Sequence, residues 1–414
     1  LKNVEEIVSG VLADVKNRGD AALFQYTAEF DGAKLHQDNL KVSQEEIIEA
    51  HQKVEPGLLA ALNSAKDNII AHHRRQMQNS WLQPDDYGNI VGLFYRPLRR
   101  IGIYVPGGTA AYPSSVLMNA LPAVVAGVPE IVMVTPPQKD ATVNPYVLVA
   151  ADLAGVTEIY KLGGAQAIGA LAYGTESVSK VDKIVGPGNI YVTAAKKMVF
   201  GDVDIDMLAG PSEIMIVADH TANPAWVAAD LLSQAEHDSL AASVLCTPDS
   251  ELAQKVQLEA IRQLALLPRQ EIAKASLEQN GLIIVTADLA EAMDLANKFA
   301  SEHLELALSE PWTWLGKVQN AGAVFLGHYT PEPVGDYYAG TNHVLPTGGT
   351  ARFFSPLGVE TFMRRMSLVS YTEEGLKAAL PHIECLARVE GLAAHAQAVT
   401  IRFRQLDARL GKED

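Results

Sequence analysis

The sequence predicts an α/β protein: two parallel-sheet units in succession, a helical region before them and a helical tail after them. Two observations point to this. Short apolar runs alternate with helix-length stretches from about residue 101 to residue 326. Strands and helices alternating at these lengths build a parallel sheet covered on both faces. At 414 residues, the chain is also too long for one comfortable core, so two or more domains are expected.

Residues 1–95 are helical by pattern, because Val4, Ile7, Val8, Val11 and Leu12 recur at i, i+3, i+4 and i+7. Ile47, Ile48 and the 58–62 region continue the rhythm, and Gly92-Leu93-Phe94-Tyr95 begins a different texture. The first α/β unit is placed at 96–212, with strands over 101–105, 131–134, 158–162 and 183–185. Its helices are expected over 115–126 and 145–153, and after the turns Gly163-Gly164 and Gly186-Pro187-Gly188-Asn189. The second unit, 213–350, has strands over 214–218, 243–246, 282–285 and 323–326. Asn223-Pro224 starts a helix running toward Gln234 and His237, since Asn caps well and Pro is tolerated at the first position. A helix over 250–266 follows, and Asp288 caps another through Ala300. Residues 351–414 form a mostly helical tail rich in Arg, Leu and Ala.

Composition removes several functional classes. The net charge is −16, so the average field repels a phosphate polyanion, and nucleic acid is not the expected partner. The short basic cluster Arg96, Arg99 and Arg100 reads as solvated or intersubunit. No apolar run reaches the roughly 18–20 residues of a membrane-spanning helix, and residues 1–30 carry no targeting pattern. Cys246 lies in an apolar run and Cys385 elsewhere; two cysteines make no disulfide framework and fit a reducing, cytoplasmic setting. Neither has a neighbouring His or glycine-rich turn to activate a thiolate.

Four stretches carry candidate chemistry. A G-x-G-x-x-G fingerprint is absent, but Gly163-Gly164-Ala165-Gln166-Ala167-Ile168-Gly169 and Gly186-Pro187-Gly188-Asn189 are strand-to-helix turns whose free N–H groups could meet a pyrophosphate. Such glycines are often only steric necessities. Gln234 and His237, three apart, lie on one helical face and can point at a common atom, and Asp336 and His395 could complete a mixed N/O set suited to zinc. A surface pair explains the same spacing. Ser301-Glu302-His303-Leu304-Glu305 follows an amphipathic helix and offers two bases of different intrinsic pKa, or simply an exposed helix end. The stretch from Gly340-Thr341-Asn342-His343 to Gly349 is a polar, turn-dense loop, either ligand-facing or structural.

Taken in order, these segments resemble the histidinol dehydrogenase family along nearly the whole chain. The blocks are Tyr104-Val105-Pro106-Gly107-Gly108, Gly163 to Ile168, Val185 to Asn189, Ala209-Gly210-Pro211-Ser212-Glu213, Ser233-Gln234-Ala235-Glu236-His237-Asp238, Ser301 to Glu305, and Gly340 to Thr347. Seven ordered blocks are far more specific than any one. The resemblance implies two incomplete Rossmann-like domains, which fits the missing fingerprint. It implies one Zn2+ per subunit on Gln234, His237, Asp336 and His395, with His395 supplied by the other subunit of a homodimer. Substrate contacts would come from Ser212, Gln234, His237, His303, Asp336, His343, Glu390 and His395, and NAD would lie near Tyr104, Gln166 and Asn189. Across 197–205 the chain is shorter than some family members, away from every matched site residue.

The activity implied is NAD-linked, four-electron oxidation of L-histidinol through L-histidinal to L-histidine, the end of histidine biosynthesis. His303 would take protons in both oxidations, and Glu302 would activate the water that hydrates the aldehyde. His343 and Glu390, shaped for an imidazole and an amine, favour histidinol over the alternative, a related dehydrogenase for another amino alcohol or a sulfonated diol.

Overall fold

The computed structural model describes residues 2–107 and 112–409, so Gly108 of the first block lies outside the described residues. The chain forms two compact units, Leu1–Met77 with Pro97–Phe362, and Gln78–Arg96 with Met363–Asp414.

The larger unit holds two five-stranded parallel sheets. The first comprises β1 (Arg100–Tyr104), β2 (Glu130–Val134), β3 (Glu158–Tyr160), β4 (Lys183–Val185) and β5 (Asp204–Ile205), in the order β3-β2-β1-β4-β5. The second comprises β6 (Glu213–Ala218), β7 (Ala242–Thr247), β8 (Gly281–Val285), β9 (His303–Ala307) and β10 (Ala323–Leu326), in the order β8-β7-β6-β9-β10. Each is a doubly wound sheet of five strands whose order reverses beside its first strand, the position where such folds bind ligands. The strands read as continuous apolar runs because both faces are covered. On one face of the first sheet, Val8, Val11, Leu12 and Val15 of helix Lys2–Arg18 pack with Val132, Val134 and Ile168. The 3.6-residue rhythm read in the N-terminal region is therefore a core-facing stripe.

Local chemistry starts the helices where the sequence reading placed them. Asn144, Asn189, Asn223 and Asp288 each accept backbone N–H groups of the first turn they precede. Three local readings change. The stretch read as one helix over 250–266 ends at Leu264, and a second helix, Gln270–Asn280, follows it. Arg100 is not solvated: it is 9% exposed and pairs with Glu130 at 2.7 Å and Glu158 at 2.9 Å, tying together the starts of three neighbouring strands. The third change concerns β9, which sequence reasoning missed. Helix Leu289–Phe299 stops at Ala300, whose φ of 53° is left-handed, and the chain then enters the sheet.

In the smaller unit, strands Trp81–Pro84 and Ile90–Pro97 pair antiparallel, and Met363–Ser370 joins their sheet. Helices Glu373–Val389 and Ala393–Arg409 pack on each other, so the tail read over 351–414 is mostly helical but also carries the strand Met363–Ser370. Among the described residues, no helix is long and apolar enough to cross a membrane.

Candidate active site

The carboxyl edge of the first sheet has the features of a dinucleotide cradle. Tyr104 ends β1, is buried, and its hydroxyl accepts the Gly164 N–H at 3.1 Å. Gln166, in the first turn of helix Gly164–Tyr173, is fully buried, yet neither end of its amide has a hydrogen-bond partner among the described residues. A buried amide left unsatisfied costs about 1–3 kcal/mol, a cost that a bound polar ligand removes. Asn189 is exposed and its Oδ1 caps helix Ile190–Val199. The turn between them is tightly built. Gly186 has φ 106° and sits so close that a Cβ there would lie 2.2 Å from the Tyr104 carbonyl oxygen. The Gly186 N–H donates to buried Asp206 at 2.8 Å, and Lys196, paired with Asp206, donates to the Gly186 carbonyl at 2.9 Å. Asp31 was not anticipated: its Oδ2 is buried and unpartnered among the described residues, and burial pushes it up to about 6 beside Tyr104.

The equivalent edge of the second sheet is already filled. Asp219, after β6, accepts the N–H groups of Thr221 and Ser309, both at 2.9 Å. Those are the donors that a phosphate at this edge would need, so the dinucleotide reading attaches to the first sheet alone.

The catalytic candidates gather at the opposite, N-terminal edge of the second sheet, where β6 and β9 begin. Glu302 and His303 enter β9 and are buried, at 6% and 4% exposure, not displayed on a helix end. The reason is the pattern His303-Leu304-Glu305-Leu306-Ala307. Alternate polar residues share one face, which hides a buried central strand from a search for apolar runs. Glu302 Oε2 accepts the Glu213 N–H at 3.0 Å, and Ser212 lies beside this carboxyl. His303 Nδ1 lies 2.9 Å from Gln234 Oε1, which places the ring proton on Nδ1 and the lone pair on Nε2. That Nε2 has no hydrogen-bond partner among the described residues, and lies 3.9 Å from Glu332 and 4.0 Å from Asp336.

His237, Glu332 and Asp336 bring one ligand atom each within 4.8 Å of the others. Gln234 stands on the helix beside them, but that helix ends at Ala235, so His237 lies past its end, with its N–H on the Gln234 carbonyl at 3.2 Å. The expectation of one helical face therefore applies to Gln234 only. Glu332 was not anticipated. Its signal was available, since Glu332 and Asp336 are i, i+4 on the short helix Glu332–Tyr337. Gly335 lets that helix close down, because a Cβ there would lie 2.7 Å from the Phe325 ring, which itself packs on His303.

The loop 340–349 joins the two edges. His343 Nε2 lies 3.4 Å from Ser115 Oγ at the start of helix Pro113–Ala126, the helix after β1. On its other side, Nδ1 is 3.2 Å from the Asp336 carbonyl. Asn342 donates to the Met118 carbonyl at 2.7 Å, and Thr347 accepts the Gly210 N–H at 2.6 Å. The site is therefore continuous with the dinucleotide edge. Glu390 and His395 belong to the smaller unit, where both are exposed: Glu390 caps helix Glu373–Val389, and His395 lies in the first turn of the last helix.

Burial drives the electrostatics. It pushes Glu302 up to about 8, with the Asp336 carboxylate adding to the effect. Burial also pushes Glu332 up to about 10, reinforced by Asp336. His303 is held down to about 4 by burial, against the pull of Asp336. Near neutrality, His303 is thus a neutral base and Glu302 is mostly protonated, with a carboxylate within reach of working pH. Acids crowded around His237 with a free imidazole face form a mixed N/O donor set that suits a borderline divalent cation.

Comparison with known proteins agrees with this geometry. A family model described as histidinol dehydrogenase matches residues 1–403. The chain is 60% identical to a histidinol dehydrogenase of Moorella thermoacetica over 395 residues, which cover 95% of this chain and 93% of that one. It is 57% identical to one from Heliobacterium mobile over 403 residues, covering 97% and 94%. The crystal structure of a histidinol dehydrogenase from Elizabethkingia anophelis superposes with a TM-score of 0.94 at 42% identity, covering 98% of this chain and 93% of that one.

Proposed function

Because the chain belongs to the histidinol dehydrogenase family, we propose that its site oxidises L-histidinol to L-histidine in two NAD-linked steps. The observation that carries this reading is the unpartnered His303 Nε2, aimed at the His237, Glu332 and Asp336 donors and continuous, through His343 and Ser115, with the dinucleotide edge. When bound, NAD supplies the hydride acceptor for both steps, and zinc supplies a template that orients the substrate's nitrogen atoms.

The residues of the chain do the rest. Tyr104, Gln166 and Asn189 would hold the dinucleotide, and Gln166 would lose its unsatisfied amide in doing so. Gln234, His237 and Asp336 would hold the metal, with the partner subunit's His395 completing the set in a homodimer. Glu332 Oε1 and Gln234 Nε2, without hydrogen-bond partners among the described residues, support a polar occupant there. Ser212, His343 and the partner subunit's Glu390 would orient the substrate's polar ends.

His303 Nε2 takes the hydroxyl proton as hydride leaves the carbinol carbon, giving the aldehyde. Glu302, as carboxylate, removes a proton from water as its oxygen bonds to the aldehyde carbon, while protonated His303 returns its proton to the former carbonyl oxygen, giving the hydrate and freeing Nε2 again. His303 then takes a proton from one hydrate hydroxyl as the second hydride leaves, giving the acid. Gln234, Glu302 and His303 are buried, which limits the aldehyde's contact with bulk water between steps.

The test is a substrate panel with NAD. Two NADH per histidinol, turnover of histidinal, and negligible rates with unrelated alcohols and a sulfonated diol are expected. Chelation should abolish the activity and added zinc restore it. Faster turnover of another amino alcohol would overturn the substrate assignment, and full activity after exhaustive chelation would overturn the metal.

A further inference from the structure

The middle of β9 carries a second buried acid that the mechanism does not use. Along this strand, Leu304 and Leu306 pack with Met293 and Ala296 on one face, while Ala307 packs with Val227 and Leu231 on the other. By alternation, His303 and Glu305 share the face of Ala307, toward helix Pro224–Ala235. That helix presents Gln234 and, one turn earlier, Asp230. The contacts form two tiers: Gln234 meets His303 at 2.9 Å, and the Asp230 carboxyl shares a hydrogen bond with Glu305. Two carboxyl groups in such contact hold one proton between them.

Glu305 also reaches the other side of the site. Its Oε1 accepts the backbone N–H of Glu332 at 2.8 Å, and Glu332 begins the short helix that carries Asp336. Glu305 is 4% exposed in the interior of a parallel sheet, where an apolar residue would fill the space at lower desolvation cost. One side chain thus grips the two helices that carry Gln234 and Asp336.

We propose that Glu305, paired with Asp230, is a positioning residue that sets the separation of these helices and so the geometry of the Gln234, His237 and Asp336 donor set. The inference rests on the metal reading above. Substitution of Glu305 should therefore change how tightly the site holds a cation, and its coordination geometry, before it changes dinucleotide binding.

The experiment loads the full-length protein with Co2+. It records the visible ligand-field spectrum, cobalt release to a chromophoric chelator, the NAD dissociation constant, and kcat and KM separately. Glu305→Gln keeps an acceptor for the Glu332 N–H and offers a donor to Asp230, so it should match wild type. Glu305→Met keeps only volume. It should lose cobalt about 10- to 100-fold more readily, the usual effect of removing an outer partner of a metal ligand. Its spectrum should shift while NAD affinity stays unchanged. Wild-type cobalt retention and spectrum in Glu305→Met would overturn the proposal, as would equal losses in Glu305→Gln. If Glu305→Met does not fold, Asp230→Leu is the substitute, and an unshifted spectrum there counts equally against the proposal. A wild-type protein that retains neither cobalt nor zinc overturns the metal reading itself, an outcome distinct from the others.

Discussion

Replacing Glu302 by Gln should separate the two oxidations. The substitution keeps an acceptor for the Glu213 N–H, now 3.0 Å from Glu302 Oε2, so the entry to β9 is preserved. It removes the only group here proposed to activate water. Burial pushes Glu302 up to about 8, so roughly one molecule in ten carries the carboxylate near pH 7. Histidinal oxidation by the wild type should therefore rise about tenfold from pH 7 to well above 8. In Glu302→Gln it should fall about 10²- to 10⁴-fold, the span of general-base catalysis, and lose that pH dependence. Oxidation of histidinol to the aldehyde depends on His303, which burial keeps neutral, and should change little. Stability supplies an independent readout. A carboxyl raised from 4.5 to about 8 on folding contributes stability that is fully present below 4.5 and lost as pH rises through 8. Between those values its contribution declines by up to about 1.4 kcal/mol per pH unit, and the Gln variant should lack this slope. The assay is single-turnover NADH formation from histidinol and from histidinal, with denaturant midpoints measured across the same pH range. Equal loss in both reactions would refute the division of labour, as would an aldehyde step that keeps its pH dependence in the variant.

Two further predictions concern the dinucleotide edge. Gln166→Leu should raise the NAD dissociation constant about tenfold or more in a fluorescence titration, yet stabilise the free protein by about 1–3 kcal/mol, because it removes an unsatisfied buried amide. A drop in thermal midpoint would show that the amide has partners. Lys196→Met should destabilise by about 3–5 kcal/mol in chemical denaturation, since it leaves Asp206 charged and buried. Adding Asp206→Leu should recover much of that loss while leaving NAD binding weakened through the freed Gly186 turn, and a double variant with wild-type NAD affinity would contradict the assigned role of the turn.

Much of the fold was legible because parallel strands buried on both faces must be written as apolar runs, and helices must be capped where they start. Val132-Met133-Val134, Ile214 to Ala218 and the capping residues Asn144, Asn223 and Asp288 announce themselves locally. The same logic hid β9. A strand that turns His303 and Glu305 toward functional neighbours breaks the apolar run, so chemistry erased the signal of structure. Glu332 escaped for a related reason. A buried acid looks like a surface acid until its neighbours are known, and those come from residues 230–237 and 303–305, far away in sequence.

The sequence by itself determined the α/β class, the turns that could meet a phosphate, and the ordered blocks that carry the family resemblance, because each is written in residue type, short spacing and order along the chain. Only the tertiary structure decided the surroundings of Glu302 and His303. Burial at the strand entry moves their pKa values in opposite directions, and Gln234 orients the ring. These are effects of desolvation and of contacts across about 70 residues of chain, which no local pattern encodes.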